Sequence, residues 1–96
     1  MILTPSQCRA ARAWLNISQE YLAEVSKVAK VTIALFEMDT RLPRDRTLED
    51  IRRAFEELGI GFTFDGLRAS GITASEAARP VQKLRRKSAQ TIEEAD

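Results

Sequence analysis

Residues 18–37 contain two short helical patterns separated by a break, and this feature restricts the fold more than any other. Apolar side chains recur at helical spacing on both sides of Ser26-Lys27, at positions Leu22, Val25, Val28, Ile33 and Phe36. Neither segment carries enough apolar surface to be stable alone, because short isolated helices are marginal in water. The stretch therefore predicts two brief helices that meet at a tight turn and pack against supporting elements.

A supporting helix is predicted on the N-terminal side of this stretch. The segment Thr4-Pro5-Ser6-Gln7 has the residues of a capping box, with proline at the first helical position. The helix should run to about Leu15. Its inward positions at helical spacing are Cys8, Ala11 and Leu15.

The hydrophobic period changes at Gly59. A helix is predicted from about Arg46 to Leu58, with inward positions Leu48, Ile51, Phe55 and Leu58. After Gly59, apolar residues alternate with small ones up to Asp65-Gly66, which is typical of a strand that ends in a turn. The alternating residues are Ile60, Phe62 and Phe64.

Two arrangements of this strand are open. If residues 67–69 return across the turn, a hairpin forms. If they do not, the edge of a lone strand has unpaired backbone groups, and the same strand of a second subunit satisfies them most simply. We therefore predict a homodimer built partly on residues 60–67, with contacts from Ile60, Phe62 and Phe64.

Residues 3–60 resemble the Cro/C1-type (XRE) helix-turn-helix family. The resemblance rests on Ser18-Gln19-Glu20, Leu22-Ala23, Val28, Thr32-Ile33, Phe36-Glu37, Arg41-Leu42-Pro43 and residues 47–51. It implies a mainly α fold, a small lambda-repressor-like helical bundle that contains the helix-turn-helix. The alternation after Gly59 adds a short β-strand, and the fading pattern beyond Gly71 predicts a partly disordered C-terminal tail. The implied function is that of a small DNA-binding transcriptional regulator, a dimeric repressor that binds an operator in double-stranded DNA.

The expected organisation has three parts. Residues 1–60 form the DNA-binding domain, and residues 61–72 form the strand that also serves in dimerisation. Residues 73–96 are expected to be a flexible tail that allows a short helix, because residues 73–76 again have capping-box residues and Pro80 limits a helix there. The tail carries a small basic cluster, Lys83, Arg85, Arg86 and Lys87.

The resemblance implies that the helix at about residues 30–38 enters the major groove. Its base-reading side chains would be Lys30, Val31, Thr32, Ala34 and Leu35. Only Lys30 and Thr32 can hydrogen-bond a base edge, whereas Val31, Ala34 and Leu35 suit thymine methyl groups. The same apolar face also suits a groove on a protein partner. The alternative function is therefore a protein-interaction module, such as an antiactivator or an antitoxin-like factor.

The resemblance also implies contacts to the DNA backbone and a structural ion pair. The phosphate-binding residues would be Gln19, Thr40, Arg41 and Arg44. The ion pair would join Arg12 to Glu37. Lys27 stands where the family usually has glycine, and Ala29 stands where a serine or threonine usually caps the recognition helix, so both positions weaken the motif.

Composition excludes several other classes of function. Fifteen basic residues face 14 acidic ones, so DNA affinity must come from the arrangement of charges and not from bulk charge. Cys8 is the only cysteine and histidine is absent, which excludes an intramolecular disulfide and the usual soft metal sites. We expect no metal, no cofactor and no enzymatic activity. No signal peptide or membrane span is recognised, so we expect a cytoplasmic protein that is nucleoid-associated when bound to DNA.

Overall fold

Four α-helices precede a β-hairpin in the computed structural model, which describes residues 2–80. The helices are α1 (Pro5–Leu15), α2 (Gln19–Ser26), α3 (Lys30–Glu37) and α4 (Asp45–Glu57). The strands are β1 (Ile60–Asp65) and β2 (Arg68–Ala74). The fold is thus a small helical domain with a helix-turn-helix in α2 and α3, as the sequence predicts.

Helix α1 begins at the predicted capping box. The hydroxyl of Thr4 accepts a hydrogen bond from the backbone N–H of Gln7 at 3.3 Å, and Oε1 of Gln7 accepts one from the backbone N–H of Thr4 at 3.1 Å. The three predicted inward residues, Cys8, Ala11 and Leu15, are completely buried. Local sequence therefore determines both the start and the inward face of this helix.

The core lies between the helices and one face of the hairpin. Its largest fully buried side chains are Phe36, Phe55, Leu15, Leu22, Ile33, Ile51 and Ile60. Val25, one of the apolar positions at helical spacing in the sequence, lies outside this core, since 39% of its surface is exposed. The left-handed residue Lys27 changes the direction of the chain after α2, so the spacing of Val25 and Val28 does not continue one helical face.

The hairpin, and not the lone strand, is the arrangement that forms. Strand β1 pairs antiparallel with β2 across a two-residue loop, Gly66-Leu67. Gly66 has φ of 67°, which suits the first loop position of a tight hairpin turn. A bulge interrupts the register at Thr63/Phe64. At this point the buried side chain of Gln7 donates through Nε2 to two backbone carbonyls, that of Thr63 at 3.1 Å and that of Gly71 at 3.0 Å.

The hairpin changes the argument for a dimer. Ile60 is buried in the core of its own subunit, and the ring of Phe62 packs edge-to-face on Phe55 at a centroid distance of 5.8 Å. These two side chains therefore pack within the chain. In addition, β2 supplies the backbone hydrogen-bond partner that a lone strand lacks. Phe64 is half-buried and Leu67, at the tip, is 88% exposed.

Residues 73–80, at the start of the expected tail, have a defined path in the structure. Residues 73 and 74 are strand residues and do not begin a helix, because they pair with Gly61 and Ile60. The chain then folds back on α1, where Ala78 is buried and its carbonyl accepts a hydrogen bond from Trp14 Nε1 at 3.0 Å. Trp14 remains 55% exposed. The predicted basic cluster at residues 83–87 lies outside the described residues.

The turn between α2 and α3 contains a residue in a costly conformation. Lys27 has φ of 63°, in the left-handed region, which costs a side-chain-bearing residue about 1–2 kcal/mol. We expect Lys27→Gly to raise the free energy of unfolding by about 0.5–1 kcal/mol, because glycine adopts this conformation without strain but loses more entropy on folding. Urea denaturation measures the difference. Lys27→Ala is the control, since it removes the same side chain but keeps the strained conformation, and an equal gain from both variants would contradict the explanation.

Candidate nucleic-acid interface

Helices α2 and α3 form the helix-turn-helix, and their caps differ. Ser18 caps α2, because its hydroxyl accepts a hydrogen bond from the backbone N–H of Tyr21 at 2.9 Å. Ala29 precedes α3 and provides no side-chain cap. Asp39 has φ of 60° just after α3, where the chain turns into the loop that leads to α4. The start of α3 therefore has backbone N–H groups without a side-chain partner.

The outward face of α3 is open at its N-terminal end. Lys30 and Val31 are exposed, and Val31 exposes 63% of its surface. The other three predicted base-reading residues, Thr32, Ala34 and Leu35, are half-buried. Lys30 is not free, since its Nζ donates to Glu20 Oε2 of α2 at 2.7 Å. The accessible face thus combines an apolar strip with one ion pair.

The carboxylate of Glu37 binds donors from two other helices. Both of its oxygens accept from the guanidinium of Arg12, with Nε to Oε2 and Nη2 to Oε1 each at 2.7 Å. Gln19 Nε2 donates to Oε1 at 2.9 Å, and the thiol of Cys8 donates to Oε2 at 3.1 Å. In addition, Arg9 donates to the backbone carbonyl of Glu37. The structure therefore fixes the C-terminal end of α3 against α1 and the start of α2.

The contacts of Glu37 shift the pKa of its carboxyl group. Burial alone would raise the pKa of Glu37, whose surface is 4% exposed, but the hydrogen bonds from Arg12, Gln19 and Cys8 outweigh it and hold the pKa below the usual range. The hydrogen bond to Glu37 raises the pKa of Arg12. Burial, followed by the hydrogen bond to Glu37, raises the pKa of the Cys8 thiol, so this cysteine is a poor nucleophile.

The predicted phosphate-binding residues fall into two groups. Thr40, Arg41 and Arg44 are exposed in the loop between α3 and α4. Among residues 2–80, neither arginine has a carboxylate within ion-pair distance. Gln19 is half-buried and one of its amide N–H groups is bound to Glu37, which leaves the other for an external acceptor.

The four-helix segment that contains α2 and α3 matches a known protein family. A helix-turn-helix family model (HTH_3) matches residues 9–60, which include α2, α3, α4 and most of α1. The chain belongs to the Cro/C1-type (XRE) helix-turn-helix family. This is a family of DNA-binding transcription regulators. A search of curated proteins found no match.

Over residues 2–80, no helix is both long enough and apolar enough to cross a membrane. The same part of the chain contains no cluster of acidic or cysteine side chains arranged to hold a metal ion.

Sequence reasoning missed two residues at this site. Glu20 was used only as a residue that opens α2, yet it binds Lys30 ten positions later. Arg9 was not singled out, although it contacts the end of α3. The spacing of residues within one helix cannot reveal such pairs, because each joins two helices whose relative positions depend on the tertiary fold.

Proposed function

We propose that this family member is a sequence-specific regulator that binds an operator as a homodimer and acts as a repressor in the cytoplasm. The observation that supports it best is the exposed N-terminal end of α3, Lys30 and Val31, in a chain that matches the helix-turn-helix family over residues 9–60. Helix α3 would lie in the major groove, which is wide enough to admit an α-helix.

The proposed base contacts come from Lys30, Val31, Thr32, Ala34 and Leu35. The ammonium of Lys30 and the hydroxyl of Thr32 supply hydrogen bonds, and Val31 meets thymine methyl groups. Ala34 and Leu35 are half-buried, so they would shape the groove-facing surface of α3 more than they would contact the DNA bases directly. A face of this kind favours an operator in which thymine methyl groups carry much of the sequence information.

The proposed phosphate contacts come from Gln19, Thr40, Arg41 and Arg44. Each cation that neutralises a phosphate releases condensed counterions and adds nearly one unit to the slope of log affinity against log salt. The guanidinium groups of Arg41 and Arg44 suit this role, because no carboxylate of residues 2–80 pairs with them and would have to be displaced before DNA binds.

The double variant Arg41→Ala/Arg44→Ala tests this assignment. We expect it to reduce the salt slope by about 2 units, since it removes two phosphate contacts. Fluorescence anisotropy of a labelled duplex, titrated at several salt concentrations, measures the slope. The control is Arg52→Ala/Arg53→Ala, which removes the same charge from α4, where both arginines pair with carboxylates of their own helix. An equal change in the two double variants would mean that only net charge matters.

The same titration distinguishes the alternative function. A protein-interaction module that uses the apolar face of α3 would show little affinity for duplex DNA and a shallow salt dependence. Exposed Val31 is the observation that favours this alternative. A wild-type protein that binds no duplex at low salt would favour it over the operator-binding proposal.

The proposed dimer would use the hairpin at residues 60–67. Leu67 at the tip is 88% exposed and lines the same apolar cleft as Leu42, which is 70% exposed. Since Ile60 and Phe62 pack within the subunit, Phe64 and the tip are the parts left for a second copy. The number of protomers on one operator, measured by analytical ultracentrifugation, tests the dimer.

A further inference from the structure

Glu20 connects the start of α2 to the start of α3. Its Oε2 lies 2.7 Å from Lys30 Nζ, and the two side chains are 66% and 52% exposed, respectively. Because the two groups are in contact, a molecule that touches Lys30 along the outward face of α3 also meets the carboxylate of Glu20.

This pair is poorly suited to a phosphate. The phosphates of DNA repel a carboxylate, and Glu20 neutralises the charge through which Lys30 would attract them. A base edge is different, since it presents hydrogen-bond donors and acceptors side by side without a full charge. The pair offers one strong donor and one strong acceptor at the same place.

The G·C base pair presents the matching pattern in the major groove. Guanine offers two acceptors, N7 and O6, and cytosine offers a donor, the N4 amino group. Lysine is suited to the guanine acceptors, and glutamate accepts from cytosine N4. An A·T pair also places a donor, adenine N6, beside an acceptor, but each of its bases offers Lys30 only one acceptor, adenine N7 or thymine O4, whereas guanine offers two.

We infer that Lys30 and Glu20 together read one G·C base pair in each half-site, with Lys30 donating to guanine and Glu20 accepting from cytosine. This inference rests on the proposed operator-binding function and adds to it a base preference and a specificity-determining residue on α2. Val31 follows Lys30 on α3, so the neighbouring position in the half-site is a pair whose thymine methyl group contacts that side chain.

Selection from a pool of random-sequence duplexes tests the inference. Wild type, Glu20→Ala and Glu24→Ala each select bound duplexes, which are then sequenced. Glu24 is the matched control, because it is exposed on the same helix one turn further along, and it has no ion pair among the described residues. Both substitutions remove one negative charge, and alanine is favourable in a helix, so both variants should fold.

The expected result is a strong G·C preference at one position per half-site for wild type and for Glu24→Ala. In Glu20→Ala the preference at that position should fall by about tenfold, while affinity for unrelated duplexes rises in both variants. An unchanged preference in Glu20→Ala, an equal loss in Glu24→Ala, or selection of A·T at this position would overturn the inference. If wild type selects no sequence at all, the proposed function itself fails, and the inference fails with it.

Discussion

Replacing Glu37 with glutamine is expected to lower the free energy of unfolding by about 3 kcal/mol, towards the lower end of what the loss of one partner of a buried ion pair costs. The substitution keeps the shape of the side chain but removes its charge. Arg12, of whose side chain 22% is exposed, then lies against a neutral amide in a largely dry site. The amide N–H group of the variant replaces one of the two oxygens of Glu37. It would therefore face the donor of Gln19 or that of Cys8 and could not accept a hydrogen bond from it.

Urea denaturation followed by circular dichroism measures this loss. Glu56→Gln is the matched control, because Glu56 pairs with Arg52 on the surface of α4, where an ion pair contributes at most about 1 kcal/mol. A similar small loss in both variants would show that water replaces the missing carboxylate at residue 37, and that the contact between α1 and α3 does not depend on it.

The same substitution changes the dependence of stability on pH. The pKa of Glu37 is lower in the folded chain than in the unfolded chain, so its ionisation stabilises the fold above the unfolded pKa, about 4.3 for glutamate. This contribution is lost as the pH falls through the lower folded-state pKa. The wild type should therefore lose stability in acid more steeply than Glu37→Gln.

Replacing Gln7, at the start of α1, with glutamate should have an effect of similar size. The amide of Gln7 donates to the carbonyls of Thr63 and Gly71, and its oxygen completes the helix cap. A carboxylate retains the cap but brings a negative charge against two carbonyl oxygens in a buried position. We expect a loss of about 3 kcal/mol or more at neutral pH, because an unsatisfied buried group costs about 1–3 kcal/mol and a charged one costs more.

The pH dependence of this variant has the opposite sign. The two carbonyl oxygens and burial raise the folded-state pKa of the introduced carboxyl above its unfolded value of about 4.3. Its destabilising effect therefore grows as the pH rises from that value through the raised folded-state pKa, and the part due to the charge disappears below it. The neutral carboxyl can donate to only one of the two carbonyls, so the cost of the other lost hydrogen bond remains at low pH. Gln7→Met is the control, since it removes the same donor without adding a titrating group. A loss that does not change with pH would contradict the proposed geometry.

The helices could be predicted because their signals are local. Thr4 and Gln7 are three residues apart, and the buried face of α1 repeats at helical spacing, so both are visible in a short window of sequence. The predicted bounds of α4 differ from the observed Asp45–Glu57 by one residue at each end. The left-handed conformation of Lys27 could also be predicted, because the resemblance places a glycine at this position.

Several of the features that the sequence did not reveal join distant segments. The sequence assigned Gln7 to the helix cap. Its amide also donates to two backbone carbonyls of residues 56 and 64 positions away, which the sequence did not reveal. Trp14 donates to the carbonyl of Ala78, which lies 64 positions away. The strand after Gly59 could pair with residues 67–69 of its own chain or with the same strand of a second subunit. The local pattern could not choose between these partners, because it does not show which of them lies beside the strand in the folded protein. Glu20 and Lys30 are on different helices, so their contact follows from the crossing of α2 and α3.

The hydrogen bonds from Gln7 to the hairpin also affect which part of this chain should fold by itself. The family segment, residues 9–60, omits the first turn of α1 as well as both partners of that amide. Excision at those limits would open Phe55 to water where Phe62 now covers it, and would remove buried Leu3 and Ala78. The recognisable motif and the cooperative unit are therefore different lengths of chain, and the hairpin belongs to the second.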